Sequence, residues 1–315
     1  MVAVPTRSKK QSRQEQSKRE MQGWLLTSPY LIFMLIFFLI PLLWSIYLVF
    51  QRWDLIAPTP TFVGLANFKE AFTSPRILQA FLVTYKFMFL FVPLVVIASI
   101  GLALIINNIP YFKSLFAVGF FLPYLASGVV VSLVVRGILS YNSPLNSLLR
   151  SVFGASPDWL GTPALAILVI TLMIVWKFAG YYALIFLAGL QGIPGELYEA
   201  AAIDGATAWR RFWHVTLPML YPAFYTVLIL AVGLTFSIFT EPFVLTNGGP
   251  QNATLTWQLE IYYQAFEQFR AGYGATVALL NAVATLISIL IIRRIVEAWG
   301  HRYGWTDEKE KEEKN

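Results

Sequence analysis

The densest group of residues able to do polar chemistry lies in one short segment, residues 196–218, which reads ELYEAAAIDGATAWRRFWHVTLP. It carries three carboxylates, two arginines and a histidine, and apolar stretches long enough to cross a bilayer stand on both sides of it. Its acidic residues come first and its basic residues last, which matches the positive and negative ends of a helix dipole. We call these residues the charged segment, and the pattern predicts short helices on a surface.

Within the charged segment, Gly205 lowers the cost of a bend and predicts two short helices at an angle. Spacing of i, i+3, i+4 places Trp209, Phe212 and Trp213 on one face of the second helix and the basic side chains on the other. The three alanines at 200–202 give the first helix a surface with little side-chain bulk. Two alternatives remain open from the pattern alone: a connector that lies on lipid headgroups, or a docking element that another protein approaches closely.

The second candidate for chemistry is Lys177, near the middle of a long apolar stretch. A lysine there costs roughly 2.5–3.5 kcal/mol to insert, so we expect it to face a cavity or a partner. It either contacts a solute or is satisfied structurally by water or by Glu241. Lys86 and Arg136 lie near the ends of apolar stretches and are interpreted as snorkelling side chains. Glu241 itself is interpreted as an interfacial charge, with a gate or partner contact as the alternative.

The composition identifies an integral membrane protein. Only 13% of the residues are charged and 57% are hydrophobic, whereas soluble domains carry roughly 25% charge. The absence of cysteine excludes disulfides, thiolate metal sites and cysteine nucleophiles. His214 and His301 are the only histidines and are far apart in sequence, so we expect no metal site.

The apolar stretches predict an all-α integral membrane fold, because a helix needs about 20 apolar residues to cross the hydrocarbon. Six transmembrane helices are predicted, at roughly 24–50, 82–107, 115–138, 164–190, 219–240 and 273–295. With the N-terminus inside, 15 of the 23 Lys and Arg residues fall on the cytoplasmic side, five fall outside and three within spans. This bias predicts that both termini are cytoplasmic, so the net charge of +6 orients the chain and gives no support to nucleic-acid binding.

Three regions follow from this topology. Residues 1–23 form a polar basic cytoplasmic tail, of which residues 1–20 are expected to be disordered or surface-bound. Residues 24–295 form the six-span domain, with the charged segment in a cytoplasmic loop at about 191–218. Residues 296–315 form a charged cytoplasmic tail. The uncharged run at 21–50 exceeds the 7–15 residues typical of a signal-peptide core, which predicts an anchored first helix without cleavage.

The sequence resembles a known family in four ordered places. EAAAIDGA at 199–206, followed by Phe212 and by TLP at 216–218, resembles the EAA loop of the permease subunits of bacterial ABC importers. LAGLQGIPGELYEAAAIDGA looks like the version in the carbohydrate-uptake, maltose-type branch. FVGLANF at 62–68, FFLPYLASGVV at 120–130 and VLTNGGP at 244–250 are similar to other stretches of that branch. The resemblance covers nearly the whole chain and implies a type I ABC importer permease architecture in the bacterial cytoplasmic (inner) membrane.

The resemblance also implies a mechanism. In that family the EAA loop forms coupling helices in a groove on a cytoplasmic ATPase dimer, and ATP-driven closure of the dimer switches the permease from inward- to outward-facing. This chain has no G-x-x-x-x-G-K-[ST] motif, so ATP and Mg are expected on the partner ATPase and no cofactor on this chain. The residues matched to ATPase coupling are Glu196, Glu199, Ala200, Ala201, Asp204, Gly205, Ala206 and Pro218.

The partners that the resemblance implies are a second EAA-loop permease in a heterodimer, the ATPase dimer, an extracytoplasmic solute-binding protein, a sugar or polyol substrate and membrane lipid. The substrate-lining candidates carried over are Ile174, Lys177, Phe178, Tyr181, Ala231, Leu234, Thr235 and Ile238. The candidates for a gate or binding-protein contact are Glu241, Asn247, Gly248 and Gly249. Gly64 and Asn67 are interpreted as turn formers on the outer side.

The substrate itself is not predicted. Ala231 and Ile238 offer no polar group where relatives often do, which argues against a close match to maltose binding. A midplane lysine would suit a phosphorylated or acidic polyol.

Two other classes of protein, an ion-coupled transporter and a membrane enzyme, fit the sequence less well. An ion-coupled secondary transporter of a small polar solute normally shows internal repeats or membrane-buried carboxylates, and no Asp or Glu falls inside a predicted span. A membrane enzyme would need a set of catalytic side chains, and the chain offers only two dispersed histidines, no cysteine and no buried carboxylate pair. The sequence therefore favours a non-enzymatic permease, with the secondary transporter as the alternative.

Overall fold

The computed structural model describes residues 9–301, and most of this part of the chain is helical. The helices are α1 (Lys9–Met34), α2 (Ile40–Leu48), α3 (Ala66–Thr73), α4 (Pro75–Asn108), α5 (Lys113–Leu125), α6 (Gly128–Ile138), α7 (Pro144–Phe153), α8 (Pro163–Gln191), α9 (Gly195–Ile203), α10 (Ala208–Arg211), α11 (Leu217–Met219), α12 (Tyr221–Ser237), α13 (Thr240–Thr246), α14 (Trp257–Tyr262) and α15 (Ala271–His301). Single π-helical turns lie at Leu35–Leu39, Phe212–Thr216 and Tyr263–Glu267. A short antiparallel hairpin pairs β1 (Gln51–Arg52) with β2 (Thr61–Phe62).

Four helices are long and apolar enough to cross a membrane: Glu20–Leu48, Pro75–Asn108, Pro163–Gln191 and Ala271–Gly300. They coincide with the first, second, fourth and sixth predicted spans. Where the third and fifth spans are predicted, the structure has bent helix pairs. The pair α5 and α6 is bent by 88°, and the pair formed by Ala208–Met219 and α12 is bent by 70°. The described residues therefore hold four straight candidate spans, or six if each bent pair counts as one.

The N-terminal tail differs in part from the expectation. Helix α1 begins at Lys9, so the predicted tail is helical over 9–23 and its residues 9–20 are not disordered. The remainder of that tail, residues 1–8, and residues 302–315 of the C-terminal tail lie outside the described residues.

Two helix breaks stand at the ends of α5 and α12. Between α5 and α6, Ala126 has extended backbone with ψ 139°. Between α12 and α13, Ile238 is extended with ψ 114°. Carbonyl groups freed in an apolar region need new partners. At the second break, Thr256 Oγ1 donates to the carbonyl of Ile238 at 2.8 Å and Asn281 Nδ2 donates to that of Phe236 at 3.2 Å.

The core lies mainly between α4 and α8, which share the most extensive helix contact. Its largest fully buried side chains are Phe87 and Phe91 from α4, with Tyr182 and Phe186 from α8. In lipid, helices associate through close packing rather than by excluding water. This continuous pair therefore forms the rigid centre against which α5 and α12 pack.

The first helix, Glu20–Leu48, is almost entirely exposed within this chain. It is held at its C-terminal end, where Asn67 Nδ2 donates to the carbonyls of Val49 and Gln51, both at 2.9 Å. Thr276 Oγ1 of α15 also donates to the carbonyl of Val49, at 3.2 Å. The buried side chain of Asn67 thus joins two segments by hydrogen bonds, which is more than forming a turn. Gly64, with φ +56°, does occupy a turn.

Candidate functional site

The charged segment folds as two short helices joined by a turn, as its sequence predicts. Helix α9 ends at Ile203, and Gly205 follows with φ +74°, a left-handed conformation that glycine adopts most easily. The turn is closed by backbone bonds from Gly205 to the carbonyl of Ala202 at 3.0 Å and from Ala206 to that of Ala201 at 2.9 Å. The Thr207 hydroxyl then caps α10 by accepting from the amide of Arg210.

The surface of the charged segment is exposed and mixes acidic and apolar groups. All three carboxylates, Glu196, Glu199 and Asp204, are exposed. Ile203 is 88% exposed and Trp209 is 71% exposed. Large apolar side chains in such exposed positions suit contact either with another protein or with lipid headgroups.

The aromatic face predicted for the second helix is present. The rings of Trp209, Phe212 and Trp213 lie with centroids 5.3–6.1 Å apart. The Tyr198 and Thr216 hydroxyls meet at 3.1 Å and tie α9 to the far end of the segment.

Two residues of the charged segment lie elsewhere than predicted. Pro218 is buried and presents no surface to a partner. Arg211 lines a cavity of about 520 Å³ together with Trp209 and Phe212, beside the end of α4. The predicted separation of basic and aromatic faces is therefore incomplete, because the π-helical turn at Phe212–Thr216 alters the 3.6-residue period.

The second candidate site lies at Lys177 in the middle of α8. Its Nζ is 3.4 Å from Oε1 of Glu241, and their side chains are only 12% and 10% exposed. The ammonium also lies 5.8 Å from the centroid of the Phe178 ring. Glu241 is buried rather than an interfacial charge, because the break after α12 turns this carboxylate inward. Its alternative interpretation, a gate or a contact with a binding protein, stays a prediction. Of the alternatives for Lys177, the ion pair with Glu241 is present.

Both helix breaks meet at this ion pair. Gly128 is the first residue of α6, directly after the first break, and Glu241 follows the second. A Cβ atom at Gly128 would lie 3.0 Å from Oε1 of Glu241 and 3.2 Å from Nζ of Lys177. The absence of a side chain at residue 128 is thus what allows α6 to approach the two charges. Non-helical backbone at membrane depth is typical of regions that line a pathway or are buried in protein.

An aromatic group lies along the same face of α8. Tyr124 stacks on Tyr181, with centroids 4.5 Å apart and ring planes 12° apart, and meets Phe178 edge-on at 5.4 Å. Phe121 completes the group at 6.5 Å from Tyr181. Aromatic faces and a neighbouring donor and acceptor can bind a polyhydroxylated ring. Tyr124 was missed from the sequence because its helix, α5, is broken and its packing partner could not be assigned.

The substrate-lining candidates separate into two groups. Lys177, Phe178, Tyr181 and Leu234 are half-buried. Ile174, Ala231, Thr235 and Ile238 are buried within this chain. The Thr235 hydroxyl donates to the carbonyl of Ala231 at 2.9 Å. The buried group therefore packs inside the helix bundle of this chain. A substrate-lining role for its members stays a prediction.

The predicted turn at 247–249 is present and firmly held. Asn247 and Gly248 have φ of +50° and +81°. The Tyr263 hydroxyl donates to the backbone carbonyl of Asn247 at 3.0 Å and to its Oδ1 at 2.7 Å. Burial, followed by repulsion from the Glu267 carboxylate, raises the pKa of Tyr263 above its usual value of 10.0. Asn247 is exposed, Gly249 is half-buried and Gly248 is buried, so only part of the turn can meet a partner.

A buried carboxylate that the sequence analysis missed lies near the same turn. Glu260 is fully buried, with Oε2 2.7 Å from Nε of Arg76 and Oε1 2.6 Å from Nε2 of Gln264. A second, exposed pair joins Arg270 to Glu70 at 2.6 Å. The sequence signal was weak, because Arg76 and Glu260 are 184 residues apart.

The hairpin loop beside α15 carries another ordered carboxylate. Asp54 accepts backbone hydrogen bonds from Ala57 at 2.8 Å and Ile56 at 3.0 Å. These bonds, with that of Ala57 the stronger, hold the pKa of the Asp54 carboxyl below its usual value of 3.8. Among the residues described, no group of three or more His, Asp or Glu side chains is placed to hold a metal ion.

Comparison with known sequences gives consistent matches. Residues 63–302 match the family described as binding-protein-dependent transport system inner membrane component. The chain is 33% identical over 289 residues to the probable ABC transporter permease protein YesP of Bacillus subtilis, which covers 90% of this chain and 93% of the relative. It is 31% identical over 274 residues to the trehalose/maltose transport system permease protein MalF of Thermococcus litoralis, covering 87% and 92%. It is also 31% identical over 272 residues to the multiple sugar-binding transport system permease protein MsmF of Streptococcus mutans, covering 86% and 94%.

Comparison with solved structures agrees with these matches at the level of the fold. A chain in the crystal structure of a bacterial ABC transporter involved in the import of the acidic polysaccharide alginate has a TM-score of 0.78 at 24% identity. The match covers 91% of this chain and 99% of that chain. A second structure of the alginate transporter, in complex with an alginate pentasaccharide-bound periplasmic protein, also has a TM-score of 0.78, at 23% identity.

Proposed function

The chain belongs to the family of inner membrane components of binding-protein-dependent transport systems, and from this premise we propose that it is the permease subunit of an ATP-driven importer of sugars or sugar-like polyols. In this proposal the chain forms half of the translocation pathway, and a second EAA-loop permease forms the other half. The observation that carries the proposal is the match, along most of its length, to relatives named for the transport of trehalose, maltose and multiple sugars.

The proposed topology has six spans with both termini in the cytoplasm. Helices α5 and α6 have 13 and 11 residues, and at 1.5 Å per residue each alone is shorter than the hydrocarbon core of about 30 Å. The two together make the third span. Helix α12 makes the fifth, with α10 and α11 on the cytoplasmic surface. The excess of Lys and Arg on one side supports this orientation.

The charged segment is proposed to dock on a separate cytoplasmic ATPase dimer, which binds ATP and Mg and performs the hydrolysis. The support is the surface itself. Exposed carboxylates at Glu196 and Glu199 stand at the start of α9, the exposed alanines beside them allow close approach, and Ile203 and Trp209 offer apolar anchors. The left-handed turn at Gly205 fixes the angle between the two helices. This chain is therefore a non-catalytic subunit that transmits the movement of the ATPase.

The substrate pathway is proposed to pass the half-buried face of the middle of α8. Lys177, Phe178 and Tyr181 present a donor and two aromatic rings there, with Tyr124 stacked behind them. The turn at 247–249 is proposed to meet an extracytoplasmic solute-binding protein through its exposed Asn247.

The test is reconstitution of the chain with its second permease, its ATPase and its binding protein in proteoliposomes. We expect ATP-dependent uptake of at least one member of a panel of neutral and acidic sugars and polyols. We expect Glu199→Ala to lower both uptake and sugar-stimulated ATP hydrolysis. The matched control is Glu20→Ala, which removes an exposed carboxylate outside the charged segment. Uptake that follows a proton or sodium gradient and ignores ATP would instead support the secondary transporter.

A further inference from the structure

The ion pair between Lys177 and Glu241 cancels the charge at the middle of the membrane-spanning region. The two side chains are nearly buried, and the described residues give neither of them a second ionic partner. A lone lysine at this depth would attract anions strongly because the surrounding dielectric is low. A lysine paired with a carboxylate 3.4 Å away presents no net charge to a solute.

The pair keeps unused capacity for hydrogen bonds. An ammonium group has three donors and an ionised carboxylate has about four acceptor sites. The hydrogen bonds formed by the described residues use one donor of Lys177, to Glu241, and the distance of 3.4 Å is long for a bond between charged groups. A sugar hydroxyl can accept from the ammonium and donate to the carboxylate at the same time. A ligand carboxylate would be attracted by one member of the pair and repelled by the other.

The surroundings suit the same class of ligand. Phe178 lies beside the ammonium, and Tyr181 stacks on Tyr124 one helical turn further along α8. Aromatic side chains cover the apolar faces of a sugar ring, while the ion pair meets its hydroxyl groups. We infer that this half of the translocation site accepts neutral sugars, and that Glu241 is the specificity-determining residue, because it neutralises Lys177.

This inference rests on the proposed sugar-import function and reverses the expectation, drawn from Lys177 alone, that a midplane lysine suits an acidic polyol. It concerns the net charge of a pair, so a double-mutant cycle tests it directly. The variants are Lys177→Met, Glu241→Gln, the double variant Lys177→Met/Glu241→Gln and the charge swap Lys177→Glu/Glu241→Lys. The matched control is the same cycle at Arg293 and Glu297, an exposed pair 2.7 Å apart.

Each variant is purified as the complete complex, and its assembly is checked by size-exclusion chromatography. Uptake into proteoliposomes is measured with the neutral sugar that the wild type transports best. It is also measured with a carboxylated derivative of that sugar, chosen because the isolated binding protein still binds it. Both compounds are tested at a concentration of binding protein that saturates uptake. The ratio of the uptake rates of the acidic and the neutral compound then measures selectivity in the permease rather than in the binding protein. The charge-swap variant retains both charges. It replaces the double variant in the test if the neutral substitutions prevent assembly of the complex.

We expect each single substitution to lower neutral-sugar uptake by about tenfold or more, because it leaves one charge unpaired. The double variant or the charge swap should recover to within about threefold of wild type, with strong coupling that the exposed pair lacks. Glu241→Gln alone should raise the acidic-to-neutral ratio by about tenfold.

Two results would overturn the inference. One is a double variant and a charge swap both as inactive as Lys177→Met, which would mean that the lysine charge itself is required at residue 177. The other is a ratio that Glu241→Gln leaves unchanged. Failure of the wild-type complex to transport any sugar would instead reject the proposed function.

Discussion

Substitution of Gly205 separates two physical roles of the charged segment. Gly205 has φ +74°, and a Cβ added there would have no atom of the described residues within 4 Å apart from its own chain neighbours. The cost of a side chain in the isolated subunit is therefore backbone strain alone. A non-glycine residue in the left-handed region costs about 1–2 kcal/mol, and asparagine costs less because its side chain bonds to the local backbone. A β-branched residue costs more.

Such a cost shifts the angle between α9 and α10. At about 1–2 kcal/mol, the correctly bent population falls by about 5–30-fold relative to other conformations. The apparent affinity of the permease pair for its ATPase should fall by a similar factor. The assay is sugar- and binding-protein-stimulated ATP hydrolysis, measured over a range of ATPase concentrations with Gly205→Asn, Gly205→Ala and Gly205→Val. Backbone strain predicts that affinity is lost least with asparagine, more with alanine and most with valine.

The order of the three variants decides the interpretation. If the loss follows side-chain size instead, so that alanine is tolerated better than asparagine, then crowding against the ATPase governs the position. Equal activity of all three variants with wild type would refute the argument that the left-handed turn sets the docking geometry.

Three further predictions concern other described residues. Gly128→Ala should lower uptake and Gly128→Val should lower it further, because a side chain at residue 128 would overpack the contact with Lys177 and Glu241 at a cost of about 1–3 kcal/mol. Thermal unfolding and sugar uptake of the purified complex measure these effects. Arg76→Met should lower the free energy of unfolding by up to about 3–5 kcal/mol, because it leaves the buried carboxylate of Glu260 without its cation. The loss should fall below this limit because Arg76 is half-exposed and solvent screens the pair. Glu70→Gln, at the exposed pair, should cost no more than about 1 kcal/mol, and denaturation in detergent compares the two. The lowered pKa of Asp54 means that its contribution to loop order is complete above pH 3.8 and is lost as pH falls through the folded-state value. The hydrogen-exchange protection factors of its two amide partners, corrected for the intrinsic pH dependence of exchange, should fall there, and Asp54→Asn should remove this loss of protection.

Each of these has a result that contradicts it. Gly128→Val with wild-type uptake would show that the contact with the ion pair is not tight in the assembled transporter. Equal destabilisation by Arg76→Met and Glu70→Gln would mean that burial of the carboxylate does not determine the cost. Protection factors that stay flat across the acidic range would remove the role assigned to the Asp54 carboxylate.

The sequence predicts the straight helices well and the broken ones poorly. Composition and length locate a span such as Pro75–Asn108 because a single helix must hold about 20 apolar residues. They do not reveal the breaks after Leu125 and Ser237. The partners that stabilise the second break, Thr256 and Asn281, come from helices later in the chain. Local patterns carry no information about such contacts.

The same reasoning explains the outcome at the site. The bend at Gly205 and the ring cluster around Trp209 are local, and the sequence predicts both. The sequence singles out Lys177 because a lysine in the middle of a span has a high free energy of insertion into lipid. The sequence does not single out Glu241, because this residue lies at the end of a predicted span. Only the structure shows that the chain turns inward there. Glu260 was missed for a related reason, since its cation is distant in sequence.

The attachment of the first helix has a mechanical consequence. The helix runs for 29 residues from Glu20 to Leu48, about 43 Å at 1.5 Å per residue. Within this chain it is attached near its C-terminal end, by the bonds to the Val49 carbonyl and by the packing of α2 against α15. A helix attached at one end acts as a lever if it tilts, and a tilt of about 10° about this attachment would move the opposite end through about 7 Å. Small changes at the loop around Asn67 would therefore become large displacements at the N-terminal end of the helix.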